Sequence, residues 1–281
     1  MKEFSNSHDY NPKQTGGIFS YLQDWEYIWG DTQSNRIPDG VWRKTASPIN
    51  PEGRNSNDIL WLRTRLPETK FRIPAILING KGVLLTFEVF LKGNLIYKFG
   101  RLTPKGQGNI SGLSSHLIDL YQYTGGEIIY FRIFSDYSNI GIRGKPILGS
   151  KSELLKKIIK DDAHRYMLAF LMIFLGVIEL FTFRARVERN HSVSMFGVLA
   201  ISLGLYIISL TSIKDIIFFA PNFWFMIYIV AMTTIPVGMM GFVWQTFRPS
   251  AKHFLNLIWQ FHVAYAFACQ LSFILALTGH I

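Results

Sequence analysis

Through residues 18–149, short runs of alternating apolar and polar positions are separated by clusters of Pro, Gly and Asn. That is the pattern of an all-β sandwich built from half-buried strands. The runs predict strands at Leu22–Trp29, Ile59–Leu66, Ala75–Asn79, Val83–Leu91, Asn94–Phe99, His116–Leu120, Glu127–Ser135 and Ile140–Leu148, with turns at Asn79-Gly80 and Gly93-Asn94. From residue 150 the pattern changes. Leu154, Leu155, Ile158 and Ile159 share one helical face while Lys156, Lys157, Lys160 and Asp161 fall elsewhere, so 150–164 reads as an amphipathic stem helix, with Ser150 and Glu153 matching a capping box. The stem runs into a first apolar segment at 165–184, followed by others at 192–213, 222–247 and 254–277. Each approaches the ~20 apolar residues that cross a bilayer as helix. Pro236 should kink the third, with Thr233 and Thr234 able to satisfy carbonyls that the proline frees.

Period-two reading assigns faces to the strands. Leu60, Leu62 and Leu66 point one way, Trp61, Arg63 and Arg65 the other. Val83, Leu85, Phe87, Val89 and Leu91 form a core face opposite Thr86, Glu88 and Phe90. Ile129, Phe131 and Ile133 face the core, with Tyr130, Arg132 and Asp136 on the other side. If these strands share a sheet, its outer face collects Trp61, Arg63, Arg65, Glu88, Tyr130, Arg132 and Asp136. Aromatic faces and guanidinium forks in that mixture suit a sugar or a small anionic ligand. The same residue types are also ordinary as solvated or strand-pairing side chains, and both readings stay open. For Trp25, Trp29 and Trp42 core packing is favoured, because Trp buries a large area.

Composition adds limits. The chain has 281 residues, 49% hydrophobic and 17% charged, unevenly divided between its halves, so two modules are expected. Its net charge of +10 is spread over loops, stem and span boundaries rather than gathered in a basic helix, which argues against a nucleic-acid partner. One cysteine, Cys269, allows no internal disulfide, and the seven histidines lack metal-ligand spacing, so neither metal nor cofactor is expected. Arg184, Arg186 and Arg189 follow the first span and Arg248 and Lys252 the third, while Lys214 is balanced by Asp215 between the second and third. The positive-inside rule then places the basic connections in the cytoplasm and the β-domain outside. Within the spans, Glu179, His262 and Gln270 are polar groups at membrane depth. They are either bundle-interior contacts that couple the helices, with Arg184 beside Glu179, or ordinary interhelical hydrogen bonds and an interface contact. Trp224, Tyr228, Trp244 and Trp259 read as interface anchors and packing.

Five strings occur in a telling order: W-x-Y-x-W-G-D at Trp25–Asp31, D-G-V-W at Asp39–Trp42, L-W-L-R-T-R-L-P at Leu60–Pro67, V-F-L-K-G-N-L-I-Y-K-F-G at Val89–Gly100, and Y-F-R-I-F-S-D-Y-S-N-I-G-I-R-G at Tyr130–Gly144. Together they resemble the extracytoplasmic jelly-roll domain of bacterial seven-transmembrane receptors with diverse intracellular signalling modules. That domain is similar to the galactose-binding-like domain of β-galactosidases and glucuronidases. The resemblance covers essentially the whole chain and implies a multi-domain protein, an all-β jelly-roll sandwich followed by an α-helical transmembrane bundle of seven spans, of which the four read above would be the first part. It implies a plasma-membrane receptor for a small molecule or carbohydrate, relaying to a cytoplasmic output beyond residue 281. A stem that signals through helix packing would be expected to act as a homodimer. The stretch 1–17 holds no apolar core of the length a secretory signal needs, so a processed or missing start is expected as well. The alternative is a membrane-anchored glycan- or partner-binding component of a transport or envelope-assembly system. No enzymatic activity is expected: GxSxG and P-loop motifs are absent, and no carboxylate pair is placed across a cleft.

Overall fold

The computed structural model describes residues 19–30, 36–46, 48–55, 59–68, 71, 73–79, 86–100, 114–121, 123, 125–135, 138–185, 191–246 and 252–278. Asp136, Gly80, Val83, Leu85, Arg186, Arg189 and Arg248, all used above, lie outside these residues. The described chain is a two-sheet β-sandwich followed by helices. One sheet has four strands in the order β1 (Phe19–Tyr21), β10 (Ile147–Ser150), β5 (Pro74–Ile78), β8 (His116–Asp119). The other has six: β3 (Arg43–Thr45), β2 (Trp25–Gly30), β4 (Ile59–Arg65), β9 (Ile128–Phe134), β6 (Thr86–Leu91) and β7 (Asn94–Phe99). The strand pairs are antiparallel. Alternation along the strands builds the core between the sheets. Leu60, Leu62, Phe87, Val89, Leu91, Ile129, Phe131 and Ile133 meet Ile76, Ile78, Ile118 and Leu148 there, as the period-two reading requires.

Two expected strands divide. The run Leu22–Trp29 breaks at Asp24, whose φ of 54° is left-handed, and the chain crosses from the small sheet to the large one. The run Ile140–Leu148 is interrupted by Gly141, Gly144 and Pro146. Gly141, at φ 123°, bridges Ile49 so closely that a Cβ would strike the Pro48 carbonyl. The β6–β7 hairpin turns through Lys92 and Gly93, both at positive φ, as a two-residue connection requires. The three residues of β3 are too few to show alternation.

β10 leads directly into α1 (Lys151–Ala185), whose first N–H donates to the Ile73 carbonyl at 3.0 Å. The 35 residues of α1 make about 52 Å at ~1.5 Å each, some 20 Å more than a ~30 Å hydrocarbon layer. The surplus lies on the sandwich. Leu154 and Ile158, one turn apart, are buried with Ala75, Leu77 and Ile147 against the outer face of the small sheet, while Ile159 is exposed. The apolar stripe is thus narrower than the four residues of the sequence pattern. At the cap, Ser150 hydroxyl meets that of Ser152 at 3.1 Å and Glu153 pairs with Lys156 at 2.7 Å.

Beyond the sandwich follow α2 (His191–Ser209), the short α3 (Ile213–Ile217), α4 (Pro221–Thr246) and α5 (Lys252–Thr278). Four of the helices are long and apolar enough to cross a membrane, and α1 and α2 pack at backbone contact. A Cβ on Gly176 would lie 2.7 Å from the Gly197 carbonyl, the close approach that small residues permit between spans. The second apolar run, read to residue 213, leaves the helix at Ser209 because Asp162 of α1 captures the N–H groups of Ser212 (2.6 Å) and Ile213 (3.3 Å).

Candidate functional site

Strand register gathers most of the sequence-selected residues into two adjacent rows on the outer face of the large sheet. Ile28, Trp61, Arg132, Glu88 and Lys98 are paired in turn across β2, β4, β9, β6 and β7. Lys44, Glu26, Arg63, Tyr130 and Phe90 form the neighbouring row. The middle of the first row is sealed, although Lys98 at its end is exposed. Trp61 is 1% exposed, Arg132 2% and Glu88 6%, and the Glu88 carboxylate holds Arg132 and Lys98 at 3.0 Å each. Ile37 and Trp42, from the segment between β2 and β3, pack over Trp61, Phe90 and Phe134 to make a small second core. A charge pair at that depth is held by its mutual bonds and is not free to meet a ligand without opening.

The second row stays open at its Lys44, Glu26 and Arg63 end, while Phe90 at the other end is buried. Glu26 binds Arg63 at 2.6 Å, both about a quarter exposed, and the indole of Trp42 stacks on the Arg63 guanidinium at 4.4 Å. Beside them is a cavity of about 700 Å³ lined by Asp24, Glu26, Lys44, Arg63, Thr64 and Arg65, among others. The Arg65 side chain is exposed and reaches the Gly126 carbonyl only weakly, at 3.4 Å. Two carboxylates, three cations and a neighbouring indole around an open cavity can engage hydroxyl groups as donors and acceptors together. The structure thus brings Arg63 and Arg65 to the cavity, Tyr130 to the row beside it, and Trp61, Glu88 and Arg132 beneath cover.

A second polar constellation lies where the sandwich meets the helices. α3 presses Lys214 and Asp215, 2% and 7% exposed, against β8. They pair at 2.7 Å, the Ser115 N–H donates to Asp215 at 2.8 Å, and the hydroxyls of Ser115 and Ser212 bond at 2.7 Å. Burial pushes the Asp215 carboxyl above the usual carboxylate range against the pull of Lys214. Beside them His116, buried between Phe87, Phe99 and Phe219, meets the Tyr97 hydroxyl at 2.9 Å. Burial, with help from Lys214, pushes His116 down to about 3, and burial, with help from Asp215, pushes Tyr97 up to about 12. Both are therefore neutral near pH 7; where Tyr97 donates, Nδ1 accepts and Nε2 carries the ring proton.

Of the polar residues on the long apolar helices, Gln270 of α5 donates to Thr233 of α4 at 3.2 Å. Glu179 is half-buried beside Thr182, and no ion pair with Arg184 is found among the described residues. His262 is half-buried next to Phe261. Trp224 donates to the Phe218 carbonyl at 2.8 Å, Tyr228 stacks on Tyr206, and Trp244 stacks on Trp259 across α4 and α5. The hydroxyls of Thr233 and Thr234 bond Ile229 and Val230. They do not reach Met232, whose carbonyl Pro236 leaves without its usual donor.

No protein-family model matches the chain, and no curated protein matches it. Among solved structures, a β-D-mannosidase from Dictyoglomus thermophilum aligns over 47% of this chain and 22% of its own, at 13% identity and TM-score 0.33. A GH2 β-galacturonidase from Eisenbergiella tayi bound to glycerol aligns over 47% and 24%, at 14% identity and TM-score 0.31. A family 35 carbohydrate binding module from Clostridium thermocellum aligns over 47% and 98%, at 8% identity and TM-score 0.25. The chain thus spans about a quarter or less of the two glycosidases' length.

Sequence reasoning passed over Asp24, Glu26 and Lys44 in the cavity, and Ser115, His116, Asp162 and Ser212 at the junction. Glu26 was within reach, since alternation in Trp25–Gly30 sets it opposite Trp25 and Tyr27. Ser115 and Asp162 had no signal, because their partners are 100 and 50 residues away.

Proposed function

We propose that this chain is a membrane-bound receptor of the bacterial plasma membrane whose extracytoplasmic β-sandwich binds a small polyhydroxylated ligand, with carbohydrate as the class. The ligand enters the cavity of Asp24, Glu26, Lys44, Arg63 and Arg65, and its binding state passes to the helices. The observation that carries this reading is the double connection of the sandwich to the bundle: β10 continues without a break into α1, and α3 returns to hydrogen-bond Ser115. A tethered binding module needs one connection; a relay gains from two, because a shift of the small sheet then moves α1 and the α2–α4 connection together. The resemblance of the sequence to seven-transmembrane receptors supports the same reading, as does the basic charge that follows α1 and precedes α5. A ligand moves such an element only by its differential affinity for two arrangements.

The test is titration of the full chain in lipid nanodiscs with a panel of neutral sugars, uronic acids and short glycans, by calorimetry, together with Lys44→Ala and Arg65→Ala. Saturable binding of one sugar class, weakened about tenfold or more by either substitution, supports the reading; a tenfold change corresponds to ~1.4 kcal/mol. Silence across the panel, or binding indifferent to both substitutions, overturns it. Binding that leaves amide exchange in α3 unchanged would favour a glycan-capturing component without relay.

A further inference from the structure

A second cavity, of about 790 Å³, lies at the junction and plays no part in the reading above. It is bounded by the sandwich at Asn79, Ser115 and Arg143, by α1 from Ile158 to Arg165, and by the end of α2 from Ser209 to Ser212. Its charge is unbalanced. Arg143, Lys160, His164 and Arg165 line it together with two carboxylates, and both carboxylates are already engaged. Asp161 holds Lys157 at 2.9 Å, and Asp162 holds Arg165 at 3.6 Å while accepting the Ser212 N–H. Arg143 and Lys160 have no anionic partner among the described residues, and both are exposed. The hydroxyls of Ser209 and Thr211 donate to carbonyls of α2, so the cations carry any recognition.

The height of this cavity is fixed by α1. Beyond the isolated Ile159, large apolar side chains turned away from the protein follow one another from Met167, 74% exposed, through Leu168, Phe170 and Leu171. That marks the edge of the hydrocarbon. At ~1.5 Å per residue, Arg165 and His164 stand about 3–5 Å beyond this edge and Lys160 about 10 Å. The headgroup layer extends roughly 5–8 Å from the hydrocarbon on each side. The cations therefore span the depth at which lipid phosphates sit, in a cleft that opens between a membrane helix and the sandwich.

We infer that this cavity binds a phosphate group, supplied by the headgroup of an anionic phospholipid, with Arg143 and Lys160 as its main contacts. A lipid held there touches the sandwich, α1 and the α2–α3 turn at once, so it acts as a third link across the junction. The inference does not depend on what the ligand cavity binds.

The test uses the full chain in nanodiscs of phosphatidylcholine alone or with a fraction of phosphatidylglycerol. Phosphatidylglycerol retained after gentle detergent extraction is counted by native mass spectrometry, and Tm is recorded in each lipid. Wild type should retain phosphatidylglycerol preferentially and melt higher in its presence. R143Q/K160Q should weaken that preference about tenfold, whereas R43Q/K156Q, which removes two exposed charges outside the cavity, should leave it largely intact. An unchanged Tm of R143Q/K160Q in pure phosphatidylcholine establishes that it folds; should it fall, competition of free phosphatidylglycerol for spin-labelled lipid on wild type decides the point. Equal retention by both double variants, or no preference in wild type, overturns the inference. Stabilisation of wild type in phosphatidylcholine by inorganic phosphate, with no lipid preference, assigns the cavity to a soluble phosphate and overturns the lipid as its source.

Discussion

On the large sheet the outer face is covered by its own neighbouring chain, Ile37 and Trp42, and the cover stops short of Arg63 and Arg65. On the small sheet the outer face is covered by α1, the helix that continues toward the membrane, and α3 meets the adjoining edge at β8. The two faces have similar β alternation and different fates. One ends in an open cavity with paired, partly exposed charges; the other ends in a junction anchored by the buried pair of Lys214 and Asp215. Exposed ion pairs contribute little to stability and can exchange partners, whereas a buried pair is costly to break. The physics thus assigns adaptability to the first face and mechanical continuity to the second.

Substitutions should break this contrast in a graded order. Asp215→Leu leaves Lys214 buried without its carboxylate and removes the acceptor for Ser115, so it should cost about 3–5 kcal/mol. Adding Lys214→Met should recover most of that loss. Thermal or denaturant unfolding in micelles reads both, and a single variant as stable as wild type would refute the buried pair. Leu154→Ala empties the contact between stem and small sheet and should cost about 2–4 kcal/mol, read the same way. Acid should act through His116. Its depressed value means that the unfolded chain takes up a proton first, so its contribution is complete above pH ~6.5 and lost as pH falls toward 3. The slope is at most ~1.4 kcal/mol per pH unit, or about 2 kcal/mol by pH 5. Asp215, raised by burial, acts with the opposite sign in the carboxylate range and makes the lower part of the fall shallower. His116→Gln should flatten the profile above pH 5; an unchanged profile would place the acid sensitivity elsewhere. At the other face, Arg65→Ala and Lys44→Ala should change stability by no more than about 0.5 kcal/mol while affecting ligand binding, and a larger loss of stability would make them structural.

Alternation in Ile59–Leu66 and Glu127–Ser135 was enough to assign faces, because a side-chain period of two leaves no other way to bury Leu60, Leu62, Phe131 and Ile133. The four apolar runs were equally legible, since length and composition alone identify them. What alternation cannot report is cover. It set Trp61, Arg132 and Glu88 on the outer face correctly and could not show that the β2–β3 segment closes over part of that face. Nor could it separate Lys214 and Asp215 as a balanced loop pair from the same residues as a buried anchor, because burial there depends on Ser115 and β8, far away in sequence.

The central claim is that sandwich and bundle are one docked unit. It is tested most directly by amide hydrogen exchange of the full chain in nanodiscs at Ser115 and Ser212, whose N–H groups donate to Asp215 and Asp162 across the junction. Both amides should be protected in wild type, and Asp215→Leu should release Ser115. Fast exchange at both amides in the wild-type chain would contradict the account.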